Sequence, residues 1–224
     1  MHYSGLGKFL YGIYEKVPFL KTAFLYYAST IEPTLRSDRI LSSYSKVMKT
    51  EFERIRPYLP EPLNVVLGIG PGIGGLEIYL SKYQRDRGLE APKVLLLDKT
   101  GIDPIQYGFH EVAAVYNSLD LTRQSLCLNG HPPDRIDVFD AAEAEKLRDR
   151  YEGQVDLVTS LIAWGFHFPL ETYLALVVDL LRPGGRVIVD VRRGTDGKQT
   201  LIDTFSDVQV IYEDDKFERV MAIR

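Results

Sequence analysis

A single cysteine, Cys127, stands in the 224 residues. One thiol closes no intrachain disulfide, and with no Cys-x-x-Cys pair or His/Cys cluster it supports no zinc site; a reducing, cytoplasmic setting suits such a chain. Basic charge is also scarce: 27 Lys and Arg against 31 Asp and Glu leave a formal net charge of -4. The cations are scattered, so no footprint for tracking a polyanionic backbone is visible and nucleic acid is not the expected partner. No apolar run of bilayer length occurs, because the most apolar N-terminal stretch, Phe9 to Ala28, is broken by Glu15, Lys16, Pro18 and Lys21. No integral membrane segment is expected, although a peripheral contact is compatible with such a stretch. The N-terminus lacks the basic, apolar and small-residue order of a secretory signal. Internal repeats and low-complexity tracts are missing too.

Hydrophobic residues at 45% and charged residues at 26% strike the balance of an ordinary globular protein. The length suits one sizeable α/β domain with a modest appendage. Residues 1–60 are rich in Tyr and Phe, with Tyr11, Tyr14, Phe24, Tyr27, Tyr44 and Phe52 set among charges at spacings that suit amphipathic helices. This predicts a helical, aromatic-rich cap over 1–60 and a main domain over 61–224. The cap aromatics are expected to pack it onto the core, to offer a wall for an acceptor molecule, or to provide a homodimer surface.

Pro57, Pro60 and Pro62 precede Leu63 to Ile69, a short apolar run that reads as a buried parallel strand. Leu76 to Arg85 has helical periodicity, Lys93 to Leu97 is a second strand ending at Asp98, and Glu111 to Leu128 reads as a helix closed by Asn129-Gly130. The alternation continues with a strand at Arg135 to Phe139, a helix at Ala141 to Tyr151, a strand at Val155 to Ser160 and a helix at Leu170 to Leu181. Arg182-Pro183-Gly184-Gly185 stops that helix, and a fifth strand runs from Val187 to Val191. Val208 to Tyr212 and Phe217 to Ile223 are separated by a connection short enough for an antiparallel hairpin and too short for a parallel crossover. The expected fold is therefore α/β: a Rossmann-like, doubly wound, mostly parallel sheet with an antiparallel C-terminal strand, an N-terminal helical cap, and ligands at the carboxyl ends of the strands.

The run Val65-Val66-Leu67-Gly68-Ile69-Gly70-Pro71-Gly72-Ile73-Gly74-Gly75 places a glycine-rich turn between a strand and a helix. Such a turn lets backbone approach a ligand closely and points helix amides at polar or anionic groups. The spacing Gly70-x-Gly72-x-x-Gly75 also fits the dinucleotide fingerprint of NAD(P)-dependent oxidoreductases. Asp98, closing the second strand, suits the two hydroxyls of an adenosine ribose and so supports an adenosine ligand of either kind.

In its order of features the chain resembles class I S-adenosylmethionine-dependent methyltransferases: the glycine turn, Asp98, Asp140, Asp156-Leu157-Val158-Thr159-Ser160, Leu181-Arg182-Pro183-Gly184-Gly185 and the terminal hairpin. The likeness covers about residues 60–224, and the Arg-Pro-Gly-Gly turn with the antiparallel last strand separates it from dehydrogenases. A weaker likeness to bacterial sugar O-methyltransferases rests on Tyr116-Asn117-Ser118-Leu119 and Asn129-Gly130. The resemblance implies S-adenosyl-L-methionine as cofactor, with candidate binding residues Gly68, Gly70, Gly72, Gly74, Asp98, Lys99, Asp140, Ala141 and Ser160. Gly70 and Gly72 would shape the methionine and ribose side, Asp98 would hold the ribose hydroxyls, and Asp140 beside Ala141 would face the adenine amino group. Asp140 also reads as an N-cap of the following helix. Members of the family commonly carry Asp or Glu where this chain has Gly68, so a carboxylate that helps hold the methionine ammonium is missing from that position.

Methyl transfer is an in-line displacement that needs an aligned nucleophile and, for a hydroxyl acceptor, a base. The segment Leu161 to Pro169 follows the fourth strand and sets His167 among aromatics, which makes His167 the first candidate base; His110, next to Glu111, is the second. His131, in a Pro-rich turn, is expected at the surface. Ser160 and Asp190-Val191-Arg192 do not form the oxygen cluster of a metal-assisted site, so no metal is expected. Three functions fit: an O-methyltransferase of a small molecule or glycan, a cofactor-binding chain without catalysis, and a nicotinamide oxidoreductase.

Overall fold

Runs of Val, Leu and Ile that are buried on both faces need partners on both edges, and they form the middle of a sheet. In the computed structural model, which describes residues 37–99 and 118–224, these are β1 (Val65–Ile69), β2 (Lys93–Asp98) and β4 (Val155–Ser160). With β3 (Ile136–Asp140), β6 (Leu181–Arg192), β7 (Asp207–Glu213) and β8 (Phe217–Ile223) they make a seven-stranded sheet of order β3-β2-β1-β4-β6-β8-β7. The first five of that order are parallel, and β8 lies antiparallel to both β6 and β7. The fold class is the expected one, including the antiparallel last strand.

Residue contacts divide the chain into two compact units, Met1–Val47 and Met48–Arg224. Helix α1 (Ser37–Ile55) begins in the first and ends in the second. Most of the expected cap, and with it the stretch 100–117 that holds the candidate base His110, lies outside the described residues.

Within the second unit, helices cover both faces of the sheet: α2 (Gly75–Asp86), α3 (Leu119–Leu128), α4 (Glu145–Tyr151), α5 (Leu174–Leu180) and α6 (Gly197–Thr204). Leu76 and Leu80 of α2 pack with Phe52, Ile55, Val66, Leu157 and Ile188 in one cluster. Leu147, Val177, Leu180 and Leu201 pack with Leu67, Leu95, Val158 and Val189 in another. Alternate residues of each strand thus serve opposite layers, which is why these strands read as unbroken apolar runs.

The structure changes several local readings. Asp140 caps a 3-10 turn (Ala141–Glu143) by accepting the Ala142 N–H at 2.9 Å, and α4 starts only at Glu145. Leu170 likewise opens a 3-10 turn ahead of α5. The segment after β4, expected as a loop, contains strand β5 (Ala163–Phe168), lying outside the main sheet. Its alternation of Trp164, Phe166 and Phe168 is the strand signal the sequence carried. Helix α6 was not legible because Leu201 is its only buried residue, too little for a period. His131 is not at the surface: it is 2% exposed, with Nδ1 2.8 Å from Ser81 Oγ and Nε2 3.3 Å from the Arg135 carbonyl. A carbonyl only accepts, so Nε2 carries the proton and Ser81 donates to Nδ1.

Asp156, one of the residues carrying the resemblance, is a structural tie. Its Oδ2 accepts the backbone N–H groups of Asn64 and Val65 at 2.7 and 2.8 Å, and its Oδ1 accepts Arg182 Nε. The Arg182-Pro183-Gly184-Gly185 segment, expected as a turn before a strand at Val187, is an irregularity within β6, and Asp156 fastens it to the entry of β1. Gly185 packs so tightly that a Cβ there would stand 2.9 Å from the carbonyls of both Arg182 and Val155.

Candidate functional site

Strand order reverses at β1, whose neighbours β2 and β4 lead to opposite halves of the sheet, and the crevice at such a switch point is where ligands of open α/β sheets bind. The glycine turn sits there. Gly70, Gly72 and Gly74 take φ of +64°, +57° and +77°, a region open to glycine and costly to other residues. The turn is pinned by Gly70 N–H to the Leu97 carbonyl at 2.9 Å, Gly74 N–H to the Pro71 carbonyl at 3.0 Å, and Thr122 Oγ1 to the Gly72 carbonyl at 2.6 Å.

The glycines serve different ends. Among the described residues, a Cβ on Gly72 would meet nothing within 4 Å, so none of them covers its backbone. A Cβ on Gly70 would stand 2.5 Å from Ala163 Cβ, so this glycine lets the start of β5 close over the turn. Gly74 leaves room for Leu126 and Thr122 of α3 and is a packing residue. At Gly68, the space of a side chain is taken by the carboxylate of Glu77, reaching back from the first turn of α2.

Asp98 and Asp140 end β2 and β3 as register partners, which puts two carboxylates side by side at the carboxyl edge. Asp98 Oδ1 accepts the Lys99 N–H at 2.8 Å. Tyr173, which sequence reasoning passed over, belongs to this corner: burial first, and then the charges of Asp98 and Asp140, push its phenol up. Its ring meets Phe168 edge to face at 6.0 Å. The signal was faint in sequence, since Tyr173 precedes α5 in an ordinary turn and joins the two aspartates only through the fold.

Ser160 is 2% exposed, and its hydroxyl is engaged by the fold: Oγ donates to the Ile69 carbonyl at 2.8 Å and accepts the Trp164 N–H at 2.9 Å. It ties the ends of β1 and β4 to the start of β5. His167 lies on β5, on the strand face shared with Ala163, and meets Phe166 edge to face at 5.0 Å. Burial, and then the charge of Arg192, lower its pKa, which favours the neutral imidazole that accepts a proton. It borders two cavities. One, of about 760 Å³, is walled by Phe166, Arg192, Lys216 and Phe217; the other, of about 390 Å³, by Phe168, Glu171 and Thr195. Among the described residues no cluster of His, Cys, Asp and Glu is arranged to hold a metal ion.

No family model matches the chain, and no curated protein matches it. Solved structures do. An S-adenosylmethionine-dependent methyltransferase from Archaeoglobus fulgidus is 13% identical over 79% of this chain and 94% of its own, with a TM-score of 0.50. A Bacillus halodurans protein named only provisionally as a methyltransferase is 17% identical over 69% of this chain, with a TM-score of 0.45; this chain spans 56% of its length. A 16S rRNA methyltransferase from T. thermophilus, in complex with AdoMet and guanosine, is 12% identical over 77% of this chain and 38% of its own, with a TM-score of 0.45. At 13% identity the Archaeoglobus likeness bears on the fold, and the fold is what this chain shares with it.

Proposed function

We propose that the chain is an S-adenosylmethionine-dependent methyltransferase that acts on a hydroxyl of a small molecule or sugar. The observation that carries the reading is the gathering, at one switch-point crevice, of a left-handed glycine turn, the register-paired Asp98 and Asp140, and Tyr173 beside them. These residues fit an adenosine-bearing cofactor. The turn exposes backbone at Gly72, and two carboxylates suit the hydroxyls and amino group of a nucleoside. The antiparallel β8 set between β6 and β7 supports a methyl donor over a dinucleotide.

When bound, S-adenosylmethionine supplies a methyl group on an electrophilic sulfonium. The chain's own part is to place and prepare the acceptor. Asp98, oriented by the Lys99 N–H, would hold the ribose hydroxyls, and Asp140 with Ala141 would hold the adenine edge. Gly70 and Gly72 shape the turn, while Gly68, Gly74 and Ser160 hold the floor beneath it. His167, neutral at pH 7, takes the acceptor's hydroxyl proton at an imidazole nitrogen. The cavity of about 760 Å³ at His167 has the size of a small-molecule site, and its Phe166 and Phe217 faces suit a sugar ring or planar acceptor.

Calorimetric titration with S-adenosylhomocysteine and with NAD tests the cofactor class. Binding of S-adenosylhomocysteine without NAD is expected, and tight NAD binding without S-adenosylhomocysteine would make the chain an oxidoreductase. Release of S-adenosylhomocysteine on screening hydroxylated acceptors then tests catalysis, and its absence across the screen favours a binding protein.

A further inference from the structure

Glutamates in the first turn of a helix ordinarily point to water, where the helix dipole favours them at little cost. Glu77 does the opposite. It is 2% exposed, and its carboxylate lies under the glycine turn, with Oε1 in contact with the spot a Cβ of Gly68 would fill and Pro71 against that same spot at 3.3 Å. Among the described residues, Oε2 is buried without a hydrogen-bond partner. Burial pushes the carboxyl up to about 7, opposed only by its own backbone N–H; no described Lys or Arg offsets the burial.

A buried carboxylate with one oxygen unpartnered is costly, and a fold that keeps one beside the glycine turn leaves a receptor there for a donor that the described residues do not provide. The complementary group is compact and cationic with several N–H bonds, which describes a primary ammonium. Glycine at 68 is the condition for this arrangement, because any side chain there would collide with the Glu77 carboxylate.

We propose that Glu77 receives the ammonium of the ligand seated on the glycine turn, delivering from α2 the carboxylate that β1 lacks at Gly68. This rests on the reading of S-adenosylmethionine as that ligand, whose amino-acid end carries such an ammonium. On binding, the ammonium replaces a proton on Glu77, and the proton leaves to solvent. Affinity therefore rises with pH until the carboxyl is ionised without the ligand's help.

The test compares S-adenosylhomocysteine with methylthioadenosine, which keeps the adenosine and sulfur and lacks the amino-acid end. Glu77→Gln is expected to weaken S-adenosylhomocysteine by roughly tenfold to a hundredfold, the worth of a charge-assisted hydrogen bond, and to leave methylthioadenosine within about twofold. In the wild type, S-adenosylhomocysteine affinity should climb between about pH 5.5 and about pH 8 and be flat in Glu77→Gln. A second pair guards against a folding defect: Gly68→Asp combined with Glu77→Ala returns the carboxylate to the strand, and should recover affinity lost in Glu77→Ala alone. Equal loss of both ligands in Glu77→Gln, or unchanged S-adenosylhomocysteine affinity, overturns the assignment while leaving the cofactor reading intact. A wild type that binds neither ligand overturns both.

Discussion

Asp190 and Arg219 are register partners on the antiparallel strands β6 and β8, joined by two buried hydrogen bonds, Nε to Oδ1 at 2.7 Å and Nη2 to Oδ2 at 3.0 Å. Arg219 also reaches Glu51 of α1 at 2.5 Å, and Asp190 Oδ2 accepts the Ile162 N–H at 3.1 Å. Ile162 holds a φ of +54°, unusual for a β-branched residue, at the start of the segment that becomes β5. One ion pair thus ties α1, the last strand and the bend that precedes His167. Removing one partner strands the other charge in the interior. Arg219→Met should cost about 3–5 kcal/mol in chemical denaturation, whereas the double change Arg219→Met with Asp190→Leu should recover much of it. A single change within about 1 kcal/mol of the wild type would refute the role given to this pair.

Glu77 makes stability depend on pH in a direction opposite to a salt-bridged carboxylate. Its folded pKa of about 7 lies above the ordinary 4.5, so its contribution is fully present below pH 4.5 and is lost as pH rises through 7. The loss without ligand is about 3 kcal/mol, because each tenfold gain in proton affinity on folding is worth about 1.4 kcal/mol. Equilibrium unfolding of Glu77→Gln, compared with wild type across this range, should lack that decline.

The glycine turn separates two costs. Gly72→Ala is expected to meet the left-handed backbone penalty of about 1–2 kcal/mol, since its Cβ would touch none of the described residues. Gly70→Ala adds a collision with Ala163 at 2.5 Å and should destabilise by a further ~1–3 kcal/mol, read as a lower melting temperature than Gly72→Ala. Equal melting temperatures would mean that β5 moves freely away from the turn.

If His167 is the base, His167→Ala should lower turnover of an identified acceptor by about a hundredfold with little change in cofactor affinity. Its pKa lies below the ordinary 6.5, so the proton-accepting form persists at mildly acid pH. The acid limb of the rate profile is therefore expected below 6.5. A limb above that value, or unchanged turnover in the variant, would assign the proton to another group.

The parallel core was legible because β1, β2 and β4 are apolar on both faces, a pattern that needs no tertiary information to recognise. The glycine turn and Asp98 were equally legible, since a left-handed turn and a strand-end carboxylate are local chemistry. The antiparallel last strand followed from the short link Glu213-Asp214-Asp215-Lys216. What sequence did not show for Ser160 and Gly74 is their structural engagement, because the neighbours Ile69, Trp164 and Leu126 come from elsewhere in the chain.

By itself, then, the sequence determined which segments form a doubly wound sheet and where the glycine turn and Asp98 fall on its carboxyl edge, because period and turn chemistry act between near neighbours. Only the tertiary structure decided what fills the space beside Gly68. Glu77 reads in sequence as an ordinary first-turn acid of α2, and nothing local distinguishes one pointing to water from one turned under the glycines. The difference arises from burial, which withdraws solvent from a charge and leaves an oxygen without a partner among the described residues. Tyr173 joins Asp98 and Asp140 because strand register and helix placement, acting over long separations, bring distant polar groups into one half-buried corner.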